Sequence, residues 1–163
     1  MSGDLPTLKK AAQLAAPVGL RVLYQMHTGG PFETVAVAAN SIAEIGEPNF
    51  GVMAEPANHL MAGETFSEDM FEPIKDSLFG VHVQTLEIGP DKENALKLAD
   101  GTEVKYSRVE YADNKQIDFA TFFAALKKAG FDGYVNELEP CQPVDELEST
   151  ITKAAKFLRP FMA

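Results

Sequence analysis

The chain has 163 residues, with 14 basic and 24 acidic side chains and a formal charge of −10. That acidity excludes a phosphate backbone as a natural partner, because no local basic patch offsets the repulsion; Lys127–Lys128 is only a pair. The length suits one domain, 1–163, with a sizeable core, and no apolar run approaches the ~20 residues that span a bilayer.

The N-terminus (Met1, Ser2, Gly3, Asp4) lacks the basic start and apolar stretch of a signal peptide. The single cysteine, Cys141, cannot form an internal disulfide. Both features predict a cytoplasmic protein. Cys141 precedes Gln142-Pro143 with no base beside it, which argues against a catalytic thiol.

The elements are read in chain order. Asp4 to Ala16 predicts a helix, ended by Pro17 and Gly19. Leu20–Met26 is an apolar strand run, and Phe32 to Ile45 a helix closed by Gly46. Gly29-Gly30 between them is a turn signal with no phosphate-loop fingerprint. Phe50–Ala54 is the second strand run. Ser67 is placed to cap a helix containing Met70, Phe71 and Ile74, before a third strand run, Leu78–Val83. Segment 87–113 reads as an insertion, with a hairpin at Ala95–Tyr106 turning at Asp100-Gly101. Asp118 caps a helix bearing Phe119, Phe122, Phe123 and Leu126, with Gly130 as its stop. Tyr134–Leu138 is the fourth strand run, and Leu147, Ile151, Ala154 and Leu158 form a last helical stripe.

Strand–helix alternation predicts an α/β fold with parallel strands. A complete (β/α)8 barrel needs roughly 250 residues. Four βα units amount to half a barrel or a small open sheet. Chemistry in such sheets gathers at the C-terminal strand ends, and all three histidines fall there: His27, His59 and His82. Alternation along the strands puts Gln25 with His27, Glu55 with Gly51 and Met53, and His82 with Gln84. Gln25, Glu55 and His82 are thereby aimed at one place. A carboxylate, an imidazole and an amide oxygen suit a divalent cation such as Mg²⁺ or Mn²⁺.

At these residues the sequence resembles the C-terminal half of the xylose isomerase-like TIM barrels, the sugar phosphate isomerases and epimerases. The matching segments are Gly19 to His27, Asn49 to Asn58, Leu78 to Gln84, and Ile117 to Gly133, ending Leu126-Lys127-Lys128-Ala129-Gly130-Phe131-Asp132-Gly133. The resemblance implies a partial (β/α)8 barrel, strands five to eight, with the hairpin inserted after its third strand. It also implies one divalent metal (Mn, Mg or Co) on Gln25, Glu55 and His82, with the fourth ligand position at Leu138, or at its neighbour Glu137 or Glu139 if the strand shifts by one residue. Glu137 or Glu139 would shuttle a proton beside a carbonyl. His27, His59, Asn58 and Gln84 would touch the substrate, a sugar or sugar phosphate. Gln25 and Leu138 depart from the carboxylates of the pattern. They favour an alternative: a non-catalytic half barrel that oligomerises or binds a ligand. A homodimer, or a separate N-terminal half, would cover the two open sheet edges. Abasic-site endonucleases share the superfamily, but the acidic charge argues against them here.

Overall fold

Caps and turns in the sequence set the element boundaries. In the computed structural model, which describes residues 4–138 and 144–162, helix α1 spans Leu5–Ala15 behind Asp4, with Pro6 in its first turn. Strand β1 is Val22–Gln25. Helix α2 is Val35–Ile45. It starts at Thr34 rather than Phe32 because the Thr34 hydroxyl accepts the Val37 N–H at 3.3 Å. Strand β2 is Phe50–Ala54, followed at once by the short helix α3, Pro56–Met61.

The helix expected after Ser67 is corrected. Pro73 interrupts it, and the chain forms a 3₁₀ segment, Glu72–Ser77, instead. Phe71 and Ile74 are buried all the same. Strand β3 is Leu78–Val83. Strands β4 (Leu86–Ile88), β5 (Asn94–Lys97) and β6 (Glu103–Arg108) form a separate antiparallel sheet, in the order β4-β6-β5. The β5–β6 turn closes with Thr102 N–H on Asp100 Oδ1 at 2.8 Å. Helix α4 is Phe119–Lys128; Asp118 accepts the Thr121 N–H at 3.0 Å. Strand β7 is Val135–Glu137, and helix α5 runs Val144–Met162. No helix among the described residues is long and apolar enough to cross a membrane.

The main sheet is four-stranded and parallel, ordered β1-β2-β3-β7. This is the arrangement of a partial TIM barrel, and among the described residues both outer strands leave one edge unpaired. One face packs under the helices: Phe50, Val52, Ala54, Val81 and Val83 are buried there with Phe32, Ile45, Phe71 and Phe122. A second aromatic layer joins α4 to α5, where the Phe123 and Phe161 rings stack with centroids 5.8 Å apart.

The opposite face is the inner one. Leu23 pairs with Gly51 and Gln25 with Met53. The register between β2 and β3 shifts between Val52 and Met53: Val52 pairs with Leu78, and Met53 with Gly80. Phe79 is the extra residue, and its ring lies over Gly51, where any Cβ would collide with it. The Arg21 guanidinium covers that ring at 4.5 Å. This floor seals the N-terminal end of the inner face.

Candidate functional site

The bulge fixes which side chains come level at the C-terminal ends of the strands. Ala54 pairs with Val81 and His82 with Asn136. Carrying the register one residue on puts Glu55 beside His82 on the inner face. Gln25, one pair below, shares that face. The three residues therefore lie on one side of the sheet.

Glu55 is wholly buried. Its carboxylate accepts the Ala57 N–H at 3.1 Å, the Asn58 side-chain amide, and Gln84 Nε2 at 3.0 Å. Burial raises its pKa to about 7; the hydrogen bonds from Gln84 and Ala57 and the charge of Arg108 pull the other way without cancelling it. His82 is half-buried, its Nδ1 has no partner, and desolvation lowers its pKa.

The other candidate residues fall in different places. Asn58 serves Glu55 from α3. His59 does not reach the inner face: it is 1% exposed, and its ring sits 5.6 Å from that of Phe71. His59 Nδ1 lies 2.6 Å from Glu64 Oε2. The Glu64 Oε1 atom accepts the Val35 N–H at 3.0 Å, so this pair ties α3 to the start of α2. His27 is exposed, with Nδ1 3.0 Å from the Thr28 carbonyl oxygen. Glu137 pairs with Val83, which puts it on the face opposite His82. Its carboxylate accepts the Tyr111 hydroxyl at 3.3 Å. Glu139 and Cys141 lie outside the described residues.

A cavity of about 260 Å³ opens where β3 and β7 end. It straddles the edge of the sheet, so residues of both faces reach it: Gln84 and Leu138 from the inner face, Glu137 from the other. Arg108, Tyr111 and Thr85 complete its polar lining. Arg108 makes no salt bridge among the described residues. Sequence reasoning missed it, because it stands on β6, far along the chain from any strand end that forms the cavity.

The antiparallel sheet reaches back over the other end of the site. Glu33 Oε2 accepts the N–H of Gly29 and, at 2.8 Å, that of Ala99. Gly29 is left-handed (φ 76°), and a Cβ there would lie 2.7 Å from the Lys97 carbonyl oxygen. The hairpin thus rests on the loop after β1 and roofs the strand ends.

A family model described as xylose isomerase-like TIM barrel matches residues 5–161. The chain belongs to the xylose isomerase-like TIM barrel family. No curated protein matches it. Among solved structures, 3-keto-D-glucoside 4-epimerase (YcjR) from E. coli superposes with a TM-score of 0.67 at 16% identity, over 94% of this chain and 51% of that one. The D-allulose 3-epimerase from Methylomonas sp. gives 0.64 at 18% identity, over 96% of this chain and 54% of its own. The IolI protein, determined with a binding zinc atom, gives 0.68 at 18% identity, over 96% and 55%. At these identities the likeness is one of fold. The chain spans about half the length of these structures.

The donor set does not fit the divalent metal that the family resemblance implies. Of Gln25, Glu55, His82 and Leu138, Glu55 alone offers a negative charge, and three N–H groups already hold its carboxylate. Gln25 is neutral and Leu138 has no donor atom. Among the described residues no group of three His, Cys, Asp or Glu side chains is placed to hold a metal ion. The unpartnered Nδ1 of His82 is one free donor, too few for a hard cation that takes about six oxygen ligands.

Proposed function

We propose that the chain handles a small sugar or sugar phosphate by proton transfer beside a carbonyl, the chemistry of isomerases and epimerases, in the cavity at the ends of β3 and β7. The observation that carries this reading is the meeting of Glu137, Arg108 and Gln84 around a space of about 260 Å³ at the strand ends. Glu137 takes the proton from the carbon next to the carbonyl. The electron pair moves onto the carbonyl oxygen, and the Arg108 guanidinium stabilises the enediolate that results. Glu137 then returns the proton to the same carbon or, once the hydroxyl proton of that carbon has passed to the former carbonyl oxygen, to the neighbouring one. Gln84, held at its amide nitrogen by Glu55, presents its amide oxygen to a substrate hydroxyl. Tyr111 holds the Glu137 carboxylate in place through its hydroxyl.

The test is exchange of the α-proton in D₂O, followed by NMR over a set of aldoses, ketoses and their phosphates. Deuterium incorporation by the wild type, lost in Glu137→Gln, supports the reading; no exchange with any of them overturns it. A second reading, a ligand-binding half barrel without catalysis, is favoured by Gln25 and Leu138 where the family pattern has carboxylates. Saturable sugar binding without exchange would select it.

A further inference from the structure

The cavity at the ends of β3 and β7 has unlike walls. The strand ends bring it Gln84, Arg108 and Glu137. Helix α5 meets it with Thr150, Ala154 and Phe157, whose spacing of four and then three residues puts them on one side of the helix. Leu138 extends this apolar wall from β7. The Phe157 ring is packed in place, 5.4 Å from that of Tyr111 and 5.5 Å, edge-on, from that of Phe119.

The hydroxyls that line the cavity are committed within the protein. Thr150 Oγ1 donates to the Glu146 carbonyl at 3.0 Å, the back-bond of a helical threonine. Thr85 Oγ1 donates to the Val109 carbonyl. The Tyr111 hydroxyl has one proton, with the Val83 carbonyl at 3.1 Å and Glu137 at 3.3 Å to receive it. On the α5 side that leaves Lys153 as the one described side chain lining the cavity with a donor to offer. It is 66% exposed, and its ammonium is 3.9 Å from Glu110 Oε2.

A space of about 260 Å³ takes a single monosaccharide. With the reacting carbons at Glu137 and Arg108 and a hydroxyl on Gln84, the far end of the sugar meets the α5 wall. A hydroxyl there gives up water and finds no buried donor in exchange. A phosphate there meets Lys153 with Glu110 beside it. A methyl group loses nothing and gains contact with the wall.

We infer that the site is selective for a 6-deoxy sugar, a hexose whose last carbon is a methyl group, seated against Ala154, Phe157 and Leu138. This inference rests on the proposed chemistry and narrows its substrate class.

The test is kcat/KM for exchange of the C2 proton in D₂O, followed by NMR, on sugars that differ only at C6. L-Fucose is set against L-galactose, L-rhamnose against L-mannose, and 6-deoxy-D-glucose against D-glucose and D-glucose 6-phosphate. Whichever series exchanges, its 6-deoxy member is expected to be preferred by about tenfold or more. Leu138→Gln puts an amide on the wall at a site 37% exposed, and is expected to bring that ratio close to one; circular dichroism checks its fold. Equal rates within each series, a preference for the hexose or its phosphate, or a ratio that Leu138→Gln does not lower would overturn the inference and leave the proposed chemistry standing. No exchange with any of these sugars, nor with the wider set of aldoses and ketoses, would overturn that chemistry and this narrowing with it.

Discussion

Gln84 Nε2 lies 3.0 Å from Glu55 Oε2, so a wholly buried carboxylate sets the orientation of a side chain that lines the strand-end cavity. Glu55 is thereby a positioning residue, and its own proton affinity has a consequence for stability. Its pKa is raised from 4.5 to about 7 on folding. The folded state therefore binds this proton more tightly than the unfolded one. The contribution is fully present below pH 4.5 and is lost as pH rises through 7. Urea titrations from pH 4.5 to 8.5 should show the wild type losing roughly 3 kcal/mol relative to Glu55→Gln. Parallel curves for the two proteins would contradict the buried, proton-retaining Glu55.

Metal affinity can be installed. Gln25→Glu with Leu138→Glu adds two carboxylates at the two positions that lack one. The double variant should gain thermal stability on addition of Mn²⁺, by roughly 2 kcal/mol or more at saturating metal. The wild type should melt at the same temperature with Mn²⁺ or EDTA, read by calorimetry. A metal-dependent shift in the wild type would show that its own donors suffice.

The roof over the strand ends hangs on one carboxylate. Glu33→Ala removes the acceptor for both the Gly29 and Ala99 N–H groups. Amide exchange in β5 and β6 should quicken by roughly tenfold or more, while the core strands keep their protection. Hydrogen-exchange mass spectrometry resolves the two regions.

His59 is buried beside Phe71, away from the inner face. Glu64→Ala leaves its buried Nδ1 and the Val35 N–H without their acceptor. The cost should be about 2–3 kcal/mol, seen as a lower urea midpoint at constant slope. Proton exchange on a substrate should be unchanged per folded molecule. A loss of exchange at constant stability would return His59 to the site.

Much of this fold is legible in short sequence signals. The four apolar runs became the four parallel strands, and Asp118 and Gly46 bound their helices as read. Asp100-Gly101 marks the turn between β5 and β6. What escaped was either too short or too distant to leave a pattern. Helix α3 has six residues behind Glu55 and reads as a polar strand end. Strand β4 has three. The Ser67 segment has a cap and apolar spacing, but Pro73 forbids the interior hydrogen bond. The convergence of Arg108 with Gln84 and Glu137 is purely tertiary, since no local periodicity relates a residue on the antiparallel sheet to the ends of β3 and β7.

The extra residue at Phe79 has a further consequence. Side chains in a strand alternate, so one inserted residue inverts the parity of everything downstream until the next irregularity. Were Phe79 paired in regular register with Met53 instead of bulged, Val81 rather than His82 would sit beside Glu55, and His82 and Gln84 would turn beneath the helices. The polar lining at the mouth is thus indexed by a single count made at the base of β3, where the bulge absorbs the one residue that would otherwise turn every polar side chain of that strand end away.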